Sequence, residues 1–187
     1  MNKKTLALTV EQYTEIIETM RAGFAGCRPN IRIATALVIE ANLGLRISDI
    51  IKLKLNSIVQ DGDRYRLDII EQKTGKQRTF TVPVVIYNYI KMYALENGIK
   101  PHEIIFPITE RAVQKQLKLV VDYLGMAGVG THSFRKFYAT RIYNDSGHDI
   151  ALVQQLLQHS SPVTTQAYIG IQSKQLEEAI KQHTCLI

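Results

Sequence analysis

"SIVQDGDRYRLDIIEQKTGKQRTFTVP", residues 57–83, breaks the texture of a chain that otherwise reads as helix. Short runs of β-branched and aromatic residues alternate here with turn signals, first Asp61-Gly62-Asp63 and then "KTGK". That alternation predicts a three-stranded antiparallel meander. A period of two places Tyr65, Leu67 and Ile69 on one face and Arg64, Arg66 and Asp68 on the other.

Helices flank this sheet on both sides. In "LTVEQYTEIIETM", Thr9 and Gln12 have the spacing of a capping box, and Val10, Tyr13, Ile16, Ile17 and Met20 follow at helical intervals. "AGFAGCRP" interrupts that helix, and Pro29 suits the first turn of the next. "NIRIATALVIEANLG" is apolar on nearly every side, which marks a buried helix stopping at Gly44; "LRISDIIKLKL" then predicts a short helix from about Arg46.

After the sheet, "VVIYNYIKMYALENG" runs to Gly98 and "ERAVQKQLKLVVDYLG" to Gly125. "HSFRKFYATRIYND" ends near Gly147, and "DIALVQQLLQ" ends just before His159. Ser161-Pro162 pairs a helix cap with a first-turn proline, so Tyr168 falls toward the end of a short helix. A last helix, "KQLEEAIKQH", carries Leu176, Ala179, Ile180 and His183 on one stripe. The expected class is α+β, mainly helical with a small three-stranded antiparallel sheet: one domain over residues 1–172 and a helical tail over 173–187.

Composition narrows the partners. The 187 residues are 45% apolar and 21% charged, ordinary values for a folded domain. Lys and Arg number 23 against 17 Asp and Glu, a net charge of +6 that suits a polyanion such as nucleic acid without requiring one. Cys27 and Cys185 have no ligand spacing and form no disulfide framework, and no stretch has the length of a signal peptide or membrane span. A soluble protein of the reducing cytoplasm, with no membrane partner, is the expectation.

Several polar residues stand where a core would prefer something else. Arg46, directly after the buried helix, is either an exposed helix-start residue or a guanidinium fixed at the core's edge, where Asp49 could brace it. Thr131 reads as a helix cap, followed by His132 and Arg135 at i and i+3; the pair could converge on one phosphate, or be a core histidine beside a surface arginine. Lys73 sits at a hairpin tip, where most lysines are simply solvated. His159 and Tyr168, nine apart, fit a helix junction whose tyrosine fills a gap as readily as they fit chemistry. Other chemistries lack their motifs. There is no G-x-x-x-x-G-K-[ST] nucleotide loop, no H-E-x-x-H or clustered metal-ligand set, no G-x-S-x-G elbow and no G-x-G-x-x-G.

Taken in chain order, "GLRISDI", "KTGKQRTFTVP", "HSFRKFYAT" and "LLQHSSPVTTQAYI" resemble the catalytic domain of the tyrosine recombinase (phage integrase) family, over roughly residues 5 to 170. The resemblance implies a site-specific DNA recombinase that needs neither metal nor cofactor. Tyr168 would attack a DNA phosphodiester to give a 3′-phosphotyrosyl link and a free 5′-hydroxyl, which can later reverse the step. Arg46 and Arg135 would clamp the nonbridging oxygens, Lys73 would protonate the leaving oxygen, His132 would help remove the tyrosine proton, and His159 would hydrogen-bond the phosphate.

Family analogy also implies double-stranded DNA as partner and a tetramer on DNA, with the free protein a monomer. The tail after Ser173 would fold back on its own domain or dock on a neighbour. Gln158 stands where a glycine is common, Ile169-Gly170 departs from the usual continuation, and a DNA-clamping helical domain usually precedes the portion at which this chain begins. A type IB topoisomerase-like enzyme and a catalytically silent DNA-binding regulator are the competing readings.

Overall fold

The main core is built around α2 (Ile31–Leu43), whose Ile33, Ala34, Ala36, Leu37, Ile39, Ala41 and Leu43 are all buried. The structure, a computed structural model, describes residues 5–71, 75, 77–157, 159 and 161–169. Lys73, Gln158 and the tail expected at 173–187 lie outside the described residues. The cap of α2 is Asn30, whose side-chain oxygen accepts the Ile33 N–H at 3.0 Å, so Pro29 stands before the cap and not in the first turn. At the other end Gly44 turns left-handed (φ 60°) and its N–H donates to the Glu40 carbonyl.

α1 (Val10–Ala22) starts with the reciprocal Thr9–Gln12 capping box and lays Ile16, Ile17 and Met20 against α2, while Val10 stays half exposed at the helix start. Tyr13 stacks on Phe137 (ring centroids 4.9 Å apart) and meets Phe134 edge-on, fastening α1 to α6 (Thr131–Asp145). Aromatic pairs of this kind add roughly 0.5–1.5 kcal/mol beyond burial. The cap of α6 is Gly130 and not Thr131. The Gly130 carbonyl already accepts the Ser133 N–H, and its own N–H donates to Ser133 Oγ at 3.1 Å.

α3 (Ile47–Ile50) is shorter than the sequence pattern predicts. The chain leaves it because the Leu53 carbonyl accepts the Ile105 N–H at 2.9 Å and Lys54 bridges Ile104, pulling "LKL" into extended pairing. A 3-10 turn at Leu55–Ser57 then leads into the sheet. Strands β1 (Ile58–Asp61), β2 (Arg64–Ile70) and β3 (Gln77–Val82) pair antiparallel in that order, with Ile58 opposite Leu67 and Tyr65 opposite Val82. Leu67 is buried, and Tyr65 and Ile69 on the same face pack on the core, as the two-residue period predicts. Tyr65 also stacks on Tyr87 of α4 (Val84–Glu96), which closes the sheet's inner side. α5 (Glu110–Tyr123) adds Val113, Leu117, Val120 and Val121 to the core.

α7 (Ile150–Leu157) and α8 (Pro162–Ile169) pack on each other and on the second half of α6. They enclose a separate small core of Ala139, Tyr143, Val153 and Leu157, against which Tyr168 and Ile169 pack. Ser161 caps α8, its hydroxyl accepting the Val163 N–H at 3.1 Å. Among the described residues no helix is long and apolar enough to cross a membrane.

Gly44 is the joint between the two cores. Its positive φ disfavours any side chain, and the Tyr138 ring occupies the space a Cβ would need. Gly44→Ala should therefore destabilise the protein by on the order of 2 kcal/mol or more, read as a drop in the urea midpoint with an unchanged slope.

Candidate active site

Arg46, the residue before α3, keeps only 17% of its side chain exposed, and its Nη1 donates to Glu71 Oε2 at 2.5 Å. The Glu71 side chain is wholly buried, so this is a charge-assisted pair out of water and not a surface bridge. The brace of Arg46 thus includes the carboxylate at the end of β2, 25 residues along the chain, which the sequence reading had not considered; Asp49, the brace expected there, is itself buried on α3. Glu71 follows Leu67 and Ile69 on the inward face of the strand alternation, and a carboxylate at an inward position was the available signal.

Arg135 projects from α6 into the gap between the cores and is 2% exposed. Its Nη1 donates to the Gly44 carbonyl at 2.7 Å and its Nη2 to the Leu157 carbonyl at 3.0 Å. Those carbonyls are the ends of α2 and α7, where unsatisfied oxygens carry the negative pole of the helix dipole. One guanidinium therefore caps two helices.

His159 lies two residues past the end of α7. It is held by mutual bonds with Gln154, whose carbonyl accepts the His159 N–H and whose Nε2 donates to the His159 carbonyl. Its Nδ1 lies 3.1 Å from Thr165 Oγ1, and its ring meets the Tyr168 ring edge-on at 5.1 Å. Burial, reinforced by the Arg135 and Arg46 charges, pushes the imidazole down to about 4, with Glu71 opposing. At neutral pH it is an uncharged hydrogen-bonding group.

Tyr168 is pushed in the opposite direction, up to about 12. Burial is the main cause, Arg135 opposes it, the Glu40 carboxyl adds to it, and Arg46 opposes more weakly. Its buried hydroxyl meets no partner at full hydrogen-bond geometry among the described residues, but the Arg135 side chain lies near enough to oppose the rise as a hydrogen-bonding group as well as a charge. Lys136 places its Nζ 5.2 Å from the centre of the Tyr168 ring while donating to the Thr5 carbonyl at 2.7 Å. The resting phenol is thus protonated and lies in the field of two guanidinium groups.

Four of the six residues singled out in the sequence, Arg46, Arg135, His159 and Tyr168, meet at this junction. Each arginine acts electrostatically on both the histidine and the tyrosine. His132 sits on the first turn of α6 and is exposed. Lys73 lies outside the described residues. Besides Glu71, the sequence reading passed over Glu40 and Lys136, both buried; the signal for Glu40 was a charge inside a mainly apolar helical run, whereas Lys136 stands beside Arg135 in a polar one.

A family model described as the phage integrase family matches residues 7–175. The chain belongs to the phage integrase family. Within that family it is 28% identical over 193 residues to tyrosine recombinase XerA of Pyrococcus furiosus, covering 98% of this chain and 64% of that protein. It is 33% identical over 149 residues to the probable integrase/recombinase YoeC of Bacillus subtilis, covering 75% of this chain and 78% of the other. It spans half of tyrosine recombinase XerC of Caldanaerobacter subterraneus, covering 94% of this chain and 50% of that protein at 28% identity.

Solved structures carry the same fold. XerH bound to palindromic difH substrate superposes with a TM-score of 0.70 at 23% identity, covering 96% of this chain and 53% of the other. The catalytic domain of bacteriophage HP1 integrase gives 0.66 at 17% identity and covers 96% of each chain. The expected phage integrase catalytic fold, mainly helical with a small antiparallel sheet, is the fold observed.

The depressed His159 value has a consequence for stability. Above about pH 6.5 the imidazole is neutral in both folded and unfolded chains; below it the unfolded chain takes up the proton first. The stabilisation present above that pH is therefore lost as pH falls toward about 4. Thermal melts across this interval should show a shallower acid decline for His159→Gln than for the wild type.

Proposed function

We propose that this chain is the DNA-cleaving and rejoining portion of a site-specific recombinase, with Tyr168 as its nucleophile. The observation that carries the reading is the placement of the Tyr168 phenol at a junction flanked by two fixed guanidinium groups and a neutral imidazole. Family membership and the likeness to XerH, whose structure is described as bound to difH substrate, support DNA as the substrate.

The chemistry follows from charge. Attack by the Tyr168 oxygen on a phosphodiester builds negative charge on the nonbridging oxygens, and Arg46 and Arg135 are held beforehand to receive it. Their anchoring to Glu71 and to two helix ends means that little reorganisation is needed when the phosphate arrives. His159, uncharged, donates or accepts a hydrogen bond without adding a third cation. His132 helps to take the phenolic proton, and Lys73 delivers a proton to the departing 5′-oxygen. The bond energy is kept in the phosphotyrosyl link, so strand rejoining needs no external energy source. Tetramer assembly on double-stranded DNA, with the segment after Ser173 docking on a neighbour or folding back, belongs to the same proposal.

Covalent capture on duplex fragments flanking the reading frame tests the nucleophile. A detergent-resistant, protease-sensitive adduct bearing a free 5′-hydroxyl is expected, and it should disappear in Tyr168→Phe. No adduct with the intact protein would favour the silent regulator, and relaxation of supercoils without exchange would favour a topoisomerase. For Lys73→Ala, adduct formation should slow by about 10²–10³ with DNA affinity little changed. A bridging sulfur at the 5′ position, which leaves without a proton, should restore the rate; an equal loss of affinity and rate would remove the acid role.

A further inference from the structure

Glu40 is the one charged residue of α2 that is buried. It is fully buried, its neighbours on the helix are apolar, and neither carboxyl oxygen completes a hydrogen bond among the described residues. It lies one turn before Gly44, whose carbonyl receives Arg135, and the carboxyl acts electrostatically on both Arg135 and Tyr168. Even with the Ile47 amide and the Arg135 charge opposing, a carboxylate so deeply buried is less stable than the neutral acid. Arg135 meanwhile directs two N–H groups at the ends of α2 and α7.

We propose that Glu40 is a pH-dependent brake set behind the phosphate clamp: a buried acid that is neutral in the resting protein, leaving Arg135 its full charge for a phosphodiester, and that weakens the clamp when it ionises. The inference rests on the recombinase reading above. Ionised, Glu40 would place a negative charge behind Arg135 and weaken the grip on the phosphate. Protonated, it only fills space.

The groups around it agree with this balance. Burial raises the carboxyl well above the usual carboxylate range, Arg135 of α6 and the Ile47 amide of α3 oppose, and Glu110 of α5 adds to the rise. Tyr168 of α8 feels Glu40 as a charge that disfavours the phenolate. Ionisation of Glu40 therefore works against the reaction twice, by weakening the clamp and by holding the proton on the nucleophile.

The decisive comparison is wild type against Glu40→Gln, a near-isosteric side chain that is neutral at every pH. Single-turnover adduct formation on a nicked duplex recovered by covalent capture is followed from about pH 6.5 to 9.5. The variant should keep the neutral-pH rate within about threefold and hold its rate to higher pH than the wild type. Superimposable profiles, or a folded variant slowed more than about tenfold at every pH, would overturn the proposal.

A second arm uses sulfate, whose charge is constant over this range, as a probe of the arginine pair in the DNA-free protein. Sulfate affinity should decline with rising pH more steeply in wild type than in Glu40→Gln, and identical declines overturn the proposal. If wild type forms no adduct, the recombinase reading fails while the sulfate arm still decides the role of Glu40. Should Glu40→Gln not fold, carbon-13 NMR of side-chain-labelled glutamate in wild type replaces it. One neutral carboxyl at pH 7 supports the proposal, and uniformly ionised carboxyls overturn it.

Discussion

A single guanidinium holds this protein's two halves in register. Arg135 lies nearly out of solvent and ties the carbonyl end of α2, in the main core, to the carbonyl end of α7, in the small one. Backbone carbonyls at helix ends must find donors or water, and here one side chain serves two ends with charge-assisted bonds. Everything else at the site is arranged around that fixed charge. His159 lies two residues past the end of α7, Tyr168 packs on the same small core, and Arg46 comes two residues after Gly44. The arginine is thus structural and electrostatic at once, and its position would be hard to change without moving a helix.

The electrostatic consequence is a resting state with few ionised groups beside the two arginines. Burial and the guanidinium fields keep His159 neutral, and burial keeps the Tyr168 phenol protonated against those same fields. The two shifts have opposite chemical meaning but a common origin, because each favours the uncharged form in a poorly solvated pocket. An arriving phosphate would bring negative charge to Arg135 and to an Arg46 already anchored by the Glu71 carboxylate. Positive potential held ready in advance is the condition under which a weak nucleophile such as a phenol becomes useful.

Much of this was legible in the residues. The all-apolar face of 31–43, the Thr9–Gln12 box, the alternation through Tyr65, Leu67 and Ile69, and the Ser161-Pro162 start of α8 are local signals, and local hydrogen bonding and burial honoured them. What the residues did not disclose came from partners distant in sequence or from backbone details. Arg46 finds Glu71 across 25 positions, and α3 stops early because Leu53 and Lys54 pair with Ile105 and Ile104. Asn30 and Gly130 displace Pro29 and Thr131 from the helix-start roles that composition assigns them. The meeting of Arg46, Arg135, His159 and Tyr168 followed from family likeness and not from periodicity, since no spacing rule brings residues 46 and 168 together.

The division into two cores bears on how such a chain can diverge. α6 serves both, giving Phe134 and Phe137 to the large one and Ala139 and Tyr143 to the small. Among the described residues, the segment carrying Tyr168 packs on a small core of four buried apolar side chains. Changes in that small core therefore fall outside the main core that α2, α5 and the sheet build, although Arg135 still ties the two together. A lineage can alter the housing of Tyr168 while inheriting the main core.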